Sequence, residues 1–62
     1  MYKVAVLMAT YNGERYLEEQ LQSIFAQQGV ELTVWVRDDG STDSTHEILD
    51  TWKKKGCLDW YT

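Results

Sequence analysis

The sequence predicts an α/β fold built as a parallel β-α-β-α-(β) unit, because two kinds of residue pattern alternate along its 62 residues. Short apolar runs rich in β-branched residues, at residues 4–9 and 32–36, are typical of strands. After each run comes a segment whose apolar side chains recur at the spacing of a helix. A strand, a crossover helix and a second strand of these lengths form a right-handed parallel unit. We therefore expect a small parallel sheet with helices packed against it.

The first predicted strand is the run at residues 4–9, which contains no charged residue. Strands of that composition are usually covered on both faces in parallel sheets, and we expect the same here. Asn12 and Gly13 then interrupt the pattern, and asparagine is one of the residue types that favour the N-cap of a helix. The strand should therefore lead into a helix that Asn12 caps.

The first helix is predicted over residues 14–28 and ends at Gly29. Its acidic side chains are concentrated in the first turns, where the helix dipole favours them. Its apolar side chains fall on a single stripe, at Leu17, Leu21, Ile24 and Phe25. That stripe should face the sheet.

The second strand, at residues 32–36, is followed by a cluster of residues that commonly cap helices. Ser44 and Glu47 have the spacing of a capping box, and Ser41 is the competing cap if the helix begins one turn earlier. The buried stripe of this second helix is predicted at Ile48, Leu49 and Trp52. Residues 57–61 have the pattern of a third strand that is just beginning.

The chain is shorter than the common domain size, so we expect a single, partial domain over residues 1–62. Its one cysteine, Cys57, excludes an intrachain disulfide, and no cluster of cysteine and histidine indicates a zinc site. Two or three parallel strands cannot cover both edges of their own sheet. We therefore expect the sheet to be completed by more chain or by a second copy.

The composition limits the classes of binding partner and the cellular compartment that we expect. Six Lys and Arg against ten Asp and Glu give a net charge of −4, which argues against a general nucleic-acid surface. No apolar stretch is long enough to cross a bilayer, and the N-terminus lacks the pattern of a signal peptide. The sequence thus predicts a cytoplasmic location.

Two polar loops follow the predicted strands, at residues 10–13 and 38–43. Ligands of open parallel sheets bind beyond the carboxyl ends of the strands, so these loops would share a crevice if the strands are neighbours. Tyr11 offers a flat aromatic surface, and Asp39 offers an acceptor for a ring N–H or a ribose hydroxyl. Adjacent helix N-termini would offer backbone donors to an anion. These features are typical of a nucleoside pocket.

The pair Asp38 and Asp39 is the strongest sign of function in these loops, because adjacent carboxylates repel each other and a turn needs only one. A calcium-loop alternative that starts at Asp39 fails, since Ser44 stands where that loop requires glycine. His46 is the only histidine, and we interpret it as a surface residue. No Ser-His-Asp triad can be built around it from the sequence.

Residues 4–12 and 36–43 resemble the N-terminus of inverting family 2 glycosyltransferases. The Thr-Tyr-Asn turn, the Glu-rich helix that ends at residues 23–28 and the Asp-Asp-Gly-Ser-Thr-Asp motif stand in that family's order and spacing. The turn region is also similar to that of bacterial rhamnosyltransferases of cell-surface polysaccharide assembly. The resemblance covers essentially the whole chain. It implies the nucleotide-diphospho-sugar transferase (GT-A) fold, which is Rossmann-like, with this chain as its nucleotide-binding front, incomplete as it stands.

By position, the resemblance implies that the backbone of Ala9 and Thr10 and the ring of Tyr11 hold the nucleobase. Asp39 would accept a hydrogen bond from the base N–H, with Asp38 adjacent at the site. The donor would be a nucleotide-diphosphate sugar of the UDP or dTDP type, and the acceptor a saccharide or a lipid-linked molecule. The complete enzyme would work in the cytoplasm, at the inner face of the membrane if it is attached there.

The resemblance also implies a divalent metal, Mg²⁺ or Mn²⁺, on a later Asp-x-Asp motif, and a still later carboxylate as general base. Neither is present here, because Asp59 is followed by Trp60 and Tyr61. We therefore assign no catalytic residue and no metal ligand. We expect the 62-residue chain alone to bind nucleotide at most weakly, without a metal, and to have no transferase activity.

Two other classes of protein stay open from the residues. In a receiver domain of the response-regulator type, an acidic pair at a strand end binds Mg²⁺, but that pair follows the first strand, whereas Asp38 and Asp39 follow the second. The other class is a non-catalytic assembling module, a homo-oligomer whose exposed sheet edge pairs with another copy. Sedimentation at several concentrations distinguishes an assembling module from a monomer.

Overall fold

The computed structural model describes residues 2–62, and in this range it contains three strands and two helices. In chain order these elements are β1 (Tyr2–Thr10), α1 (Leu17–Phe25), β2 (Val30–Asp38), α2 (Thr45–Lys54) and β3 (Leu58–Tyr61). The strands form one sheet in the order β1-β2-β3, and both pairs are parallel. The predicted α/β unit and its third strand are confirmed.

The register of the sheet brings two strand ends together. β1 and β2 pair along their full length, from Tyr2 opposite Val30 to Thr10 opposite Asp38. β3 pairs with only the second half of β2, beginning at Val34 opposite Leu58. The carboxyl ends of β1 and β2 therefore finish at the same level.

The hydrophobic core lies on one face of the sheet. Its buried side chains are Leu17, Leu21, Val34, Val36, Leu49, Trp52 and Leu58. Right-handed crossovers that step in one direction, from β1 to β2 to β3, place both helices on the same face. The helices also contact each other, since the ring of Phe25 stacks on Trp52 at a centroid distance of 5.3 Å.

The opposite face of the sheet is open. It presents Leu7, Trp35 and Tyr61, which are 79%, 43% and 52% exposed. The prediction that residues 4–9 are covered on both faces is therefore wrong for the described chain. The apolar run does form a strand, but both crossover helices lie on the other side of it.

The helix α1 begins at Leu17, later than the predicted start at residue 14. The carbonyl oxygen of Gly13 accepts hydrogen bonds from the amides of Tyr16, at 3.0 Å, and Leu17, at 2.8 Å. Tyr16 occupies the N-cap position and makes no side-chain capping bond. The prediction that Asn12 caps this helix is therefore wrong.

The helix α2 has Ser44 at its N-cap, as predicted, but the Ser44 side chain makes no capping hydrogen bond. The capping box with Glu47, and the competing cap at Ser41, are therefore wrong. The carboxylate of the neighbouring Asp43 bonds to the start of the helix instead, since its Oδ1 accepts a hydrogen bond from the amide of Thr45 at 2.9 Å.

Both helices are short, with 9 residues in α1 and 10 in α2. Within the part of the chain that the structure describes, neither is long and apolar enough to cross a membrane.

Candidate functional site

Two polar loops start side by side at the ends of β1 and β2. Loop 1 comprises residues 11–16, and loop 2 comprises residues 39–44. The amide of Asp39 donates a hydrogen bond to the carbonyl oxygen of Thr10 at 2.9 Å, which continues the pairing of the strands beyond their ends. The strands are thus neighbours, as the nucleoside-pocket interpretation requires.

Asn12 joins the two loops through both its backbone and its side chain. Its amide donates to Ser41 Oγ at 2.8 Å, and its Oδ1 accepts a hydrogen bond from the amide of Thr42 at 2.8 Å. The φ angle of Asn12 is 48°, in the left-handed region that asparagine adopts more readily than most residues. Asn12 therefore bridges the loops instead of capping α1.

Further hydrogen bonds extend this connection along both loops. The amide of Gly13 donates to Thr45 Oγ1 at 2.9 Å. The amide of Glu14 donates to Asp43 Oδ2, and the amide of Ser44 donates to Glu14 Oε2, each at 3.3 Å. These three backbone donors are therefore engaged within the protein, and anion binding by the helix N-termini stays a prediction.

The carboxylate of Asp43 is shared between the two loops. It accepts hydrogen bonds from the amide and the hydroxyl of Thr45 and from the amide of Glu14. Desolvation opposes its ionisation, but the hydrogen bonds from Thr45 and Glu14 outweigh that effect and lower the pKa of Asp43. Asp43 thus links the start of α2 to loop 1 as an anion.

Asp38 is enclosed beneath the loops, with 2% of its surface exposed. Its Oδ2 accepts the amides of Gly40, at 3.1 Å, and Ser41, at 2.9 Å, and lies 2.7 Å from His46 Nε2. Its Oδ1 accepts the hydroxyl of Ser41. Burial opposes ionisation, but the hydrogen bonds from Ser41, His46 and Gly40 outweigh it and lower the pKa of Asp38 to about 2. Asp38 therefore shapes loop 2 from within as a carboxylate.

His46 is half-buried, with 41% of its side chain exposed, so its interpretation as a plain surface residue is wrong. Its ring lies against Trp60 of β3 at a centroid distance of 4.9 Å, in addition to its contact with Asp38. Sequence reasoning missed this contact. The available signal was the place of His46 in the first turn of α2, directly after the loop that Asp38 opens.

The three residue types of a hydrolytic triad meet here, at Ser41, Asp38 and His46. Their spatial order differs from that of a catalytic triad. The serine hydroxyl and the histidine ring both contact the carboxylate, which lies between them. Nucleophilic catalysis needs the histidine between the serine and the carboxylate, so that it can accept the hydroxyl proton. The cluster is therefore a structural hydrogen-bond network.

Gly13 lies close to the end of β1. A Cβ atom at this position would be 2.7 Å from Thr10 Oγ1 and 3.1 Å from the ring of Tyr16. The Thr10 side chain is itself buried, and its Oγ1 has no hydrogen-bond partner among residues 2–62. Only glycine fits here without movement of its neighbours.

The predicted site residues separate into an exposed set and a buried set. Ala9, Tyr11 and Asp39 are exposed at the strand ends, and Tyr11 as a whole residue is 58% exposed. Thr10 and Asp38 are buried beneath them. Contact of any of these residues with a nucleotide stays a prediction.

In the part of the chain that the structure describes, the exposed carboxylate of Asp39 pairs with one side chain, that of Arg37. The distance between Arg37 Nε and Asp39 Oδ1 is 3.0 Å, and about half of each side chain is exposed (56% and 47%). An ion pair this exposed contributes little to stability and is easily exchanged for another partner.

The residues at this edge do not fit a divalent metal. Within residues 2–62, no three side chains of the His, Cys, Asp or Glu type lie close enough to hold one. The oxygens of Asp38 are already occupied by N–H and O–H donors, and Asp39 faces a guanidinium group. Without a suitable set of ligands, the acidic pair no longer supports a receiver-like magnesium site.

Residues 5–60 match the model of the family described as "Glycosyl transferase family 2". The curated relatives that are similar to the chain include three with a named activity. The dTDP-rhamnosyl transferase RfbG of Shigella flexneri is 51% identical over 43 residues, which is 69% of this chain and 15% of that protein. The abequosyltransferase RfbV of Salmonella typhimurium is 36% identical over 52 residues, or 81% of this chain and 16% of that protein.

The third relative is the poly(ribitol-phosphate) beta-N-acetylglucosaminyltransferase TarS of Staphylococcus aureus. It is 40% identical over 57 residues, which is 89% of this chain and 10% of that protein. The chain thus spans between 10% and 16% of the length of these relatives. No solved structure is significantly similar to it. Because the family model covers nearly all of the sequence, the chain belongs to glycosyl transferase family 2.

Proposed function

We propose that this chain binds the nucleotide of a nucleotide-diphosphate sugar, and that the protein transfers the sugar to a saccharide or lipid-linked acceptor. One observation carries the proposal: two parallel strands end side by side, joined by the hydrogen bond between Asp39 and Thr10. An exposed aromatic ring follows one strand and an exposed carboxylate follows the other. Membership of glycosyl transferase family 2 supports the class of reaction.

Tyr11 and Asp39 divide the recognition of the base between them. A base stacks on the exposed ring of Tyr11, which offers a flat apolar surface. Arg37 contacts only Oδ1 of Asp39, so Oδ2 is left to accept a hydrogen bond from a ring N–H of the base. A stacking surface and one directed acceptor are sufficient to orient a pyrimidine.

The main chain at Ala9 and Thr10 contributes at the edge of the sheet. In the described residues β1 pairs only with β2, so its other edge carries backbone donors and acceptors without a strand partner. In this proposal the backbone groups of Ala9, which alternate with those of Thr10 and so face the free edge, contact the base. The Thr10 carbonyl pairs with the Asp39 amide instead, so Thr10 contributes by holding the two strand ends together. Asp38 acts indirectly by holding loop 2 in shape.

We infer a pyrimidine nucleotide of the dTDP or UDP type as the donor. Support comes from the Shigella flexneri relative, whose name specifies a dTDP-rhamnosyl transferase. A diphosphate leaving group is neutralised by a divalent metal such as Mg²⁺ or Mn²⁺ when one is bound. The residues described here do not supply that metal site or a general base, and the location at the inner face of the membrane is likewise part of the proposal.

Nucleotide titration of the 62-residue chain tests the binding half of this proposal. We expect dTDP and UDP to shift the amide resonances of Tyr11, Asp39 and their neighbours in ¹H–¹⁵N spectra. Tyr11→Ala should weaken binding by about tenfold or more, since removal of one aromatic stacking partner costs about 1–3 kcal/mol. Tyr2→Ala is the matched control, because Tyr2 is 80% exposed at the opposite end of the same strand.

The absence of any shift at millimolar nucleotide would contradict the proposal, as would shifts centred on α1. Equal weakening by Tyr11→Ala and Tyr2→Ala would also contradict it, because a site at the carboxyl ends of the strands does not involve Tyr2.

The open face of the sheet favours a second candidate function, a non-catalytic module that assembles with its own copies. Leu7, Trp35 and Tyr61 form an apolar surface that could be covered in a homo-oligomer, together with the free edge of β1. Sedimentation at several concentrations tests this candidate. A mass that stays monomeric up to hundreds of micromolar would exclude it.

A further inference from the structure

The carboxylate of Asp38 is held from two directions. Loop 2 approaches it with the amides of Gly40 and Ser41 and with the Ser41 hydroxyl. The helix α2 approaches from the other side with the ring of His46, whose Nε2 lies 2.7 Å from Asp38 Oδ2. His46 is therefore the contact to this buried carboxylate that comes from outside loop 2.

We propose that His46 is a positioning residue, whose ring N–H fixes Asp38 and, through Asp38, the turn of loop 2 that presents Asp39 to the nucleotide. The inference rests on the proposed function for what loop 2 binds, but the order of the loop can be measured without any ligand. No contact between His46 and the nucleotide is required.

The ring of His46 acts as a hydrogen-bond donor in this contact. A carboxylate is only an acceptor, and ionised Asp38 is the form that also accepts the amides of Gly40 and Ser41. The hydrogen between His46 Nε2 and Asp38 Oδ2 must therefore belong to the histidine. This assigns the proton to Nε2 of the ring.

The histidine ring is itself held in place by β3. It packs against Trp60 at 4.9 Å between centroids, and the indole Nε1 of Trp60 donates to Asp50 Oδ1 at 3.0 Å. Asp50 belongs to α2, as His46 does. A closed set of contacts between α2 and β3 therefore determines where the imidazole N–H points.

The position of Asp38 is transmitted to loop 1 through Ser41. The Ser41 hydroxyl donates to Asp38, and its oxygen accepts the amide of Asn12 at 2.8 Å. Asn12 directly follows Tyr11, so both exposed groups of the proposed site lie within one residue of this network. Loss of the His46 donor should loosen both loops.

Hydrogen exchange in two variants tests the proposal. His46→Leu keeps an apolar side chain against Trp60 but removes the donor, whereas His46→Gln retains an N–H donor at a comparable reach. In His46→Leu, the amides of Gly40 and Ser41 should exchange about tenfold faster or more, as expected for loss of one hydrogen bond to a charged group. In His46→Gln their protection should return toward that of the original chain, and dTDP affinity should follow the same order.

A direct measurement on the unaltered chain keeps the proposal testable if the variants fold poorly. Long-range ¹H–¹⁵N spectra of the imidazole should show the proton on Nε2. A neutral ring protonated only on Nδ1 would overturn the proposal. So would unchanged exchange at Gly40 and Ser41 in His46→Leu, or an equal increase at Val34 and Val36, which would indicate general destabilisation.

The ligand-free measurements separate this inference from the proposed function. If the unaltered chain binds neither dTDP nor UDP, the proposed function fails. The exchange rates of Gly40 and Ser41 and the tautomer of His46 still decide whether the histidine positions loop 2.

Discussion

The side chain of Asn12 accepts a hydrogen bond from the amide of Thr42 at 2.8 Å, although 30 residues separate them. The return contact, from the amide of Asn12 to Ser41 Oγ, has the same length. These two bonds make the ends of β1 and β2 a single unit. The contribution of this junction to stability can be measured with single substitutions.

Replacement of Asn12 by alanine should lower the free energy of unfolding by about 1–3 kcal/mol, because it removes one hydrogen bond and places alanine at positive φ. Urea denaturation measures the change. Asn12→Gly is the matched control, since glycine tolerates the φ of 48° but lacks the side chain. An equal loss in both variants would assign the effect to the hydrogen bond alone, and no loss in either would contradict the bridging role.

Stability should fall in acid because of Asp38. Its pKa is lowered from 3.8 to about 2 in the fold, so the ionised form is favoured when the chain is folded. The resulting stabilisation is fully present above about pH 4 and is lost as the pH falls through about 2, and it amounts to about 2 kcal/mol. Urea denaturation between pH 2 and 6 should show this slope.

Asp38→Asn should remove most of the acid dependence and should also lower stability at neutral pH. A smaller slope should persist in that variant, because the pKa of Asp43 is lowered as well. An unchanged slope in Asp38→Asn would show that other carboxylates cause the acid sensitivity.

Gly13→Ala should be strongly destabilising, because the new Cβ would lie 2.7 Å from Thr10 Oγ1 and 3.1 Å from the Tyr16 ring. Overpacking of this kind costs about 1–3 kcal/mol. A second substitution, Thr10→Ala, removes the nearer atom and should recover part of the loss in a double-mutant cycle. Strictly additive effects would mean that the close approach to Thr10 is not the cause.

The two faces of the sheet should respond differently to truncation of leucine. Leu21→Ala removes a fully buried side chain and should cost about 2–5 kcal/mol, whereas Leu7→Ala changes a residue that is 79% exposed and should cost less than about 1 kcal/mol. Urea denaturation at low protein concentration measures both. A large, concentration-dependent effect of Leu7→Ala would indicate that the open face is covered by a second copy.

The elements of this fold could be predicted because each depends on a local pattern. The apolar run at residues 4–9 and the stripe through Leu17 and Leu21 indicate a strand and a helix by themselves. The exposed position of Leu7 could not be predicted in the same way. It depends on which side of the sheet the crossover helices occupy.

The hydrogen-bond partners within the site were not predictable from local patterns. Asn12 and Ser44 are good capping residues, yet Asn12 bonds to loop 2 and Ser44 makes no side-chain cap. For Asn12, Gly13 and Glu14 the partners lie on loop 2 or at the first residue of α2, so they become known only when the strand register is known. The contact between His46 and Asp38 was not predictable for a similar reason, because it forms across the start of α2 and depends on the folded structure.

Because β1 and β2 pair in a long parallel register, the site exists only in the folded chain. Thr10 lies beside Asp38 only when β1 and β2 pair in this register, and bringing together segments so distant in sequence costs loop-closure entropy. Under the proposed function, only the folded chain would bind a nucleotide, and the binding energy would add directly to the stability of the fold. At a hundredfold excess over Kd the gain is about 2.7 kcal/mol. Because the core is so small, a bound nucleotide would stabilise the fold. The melting temperature should therefore be higher when the nucleotide is present.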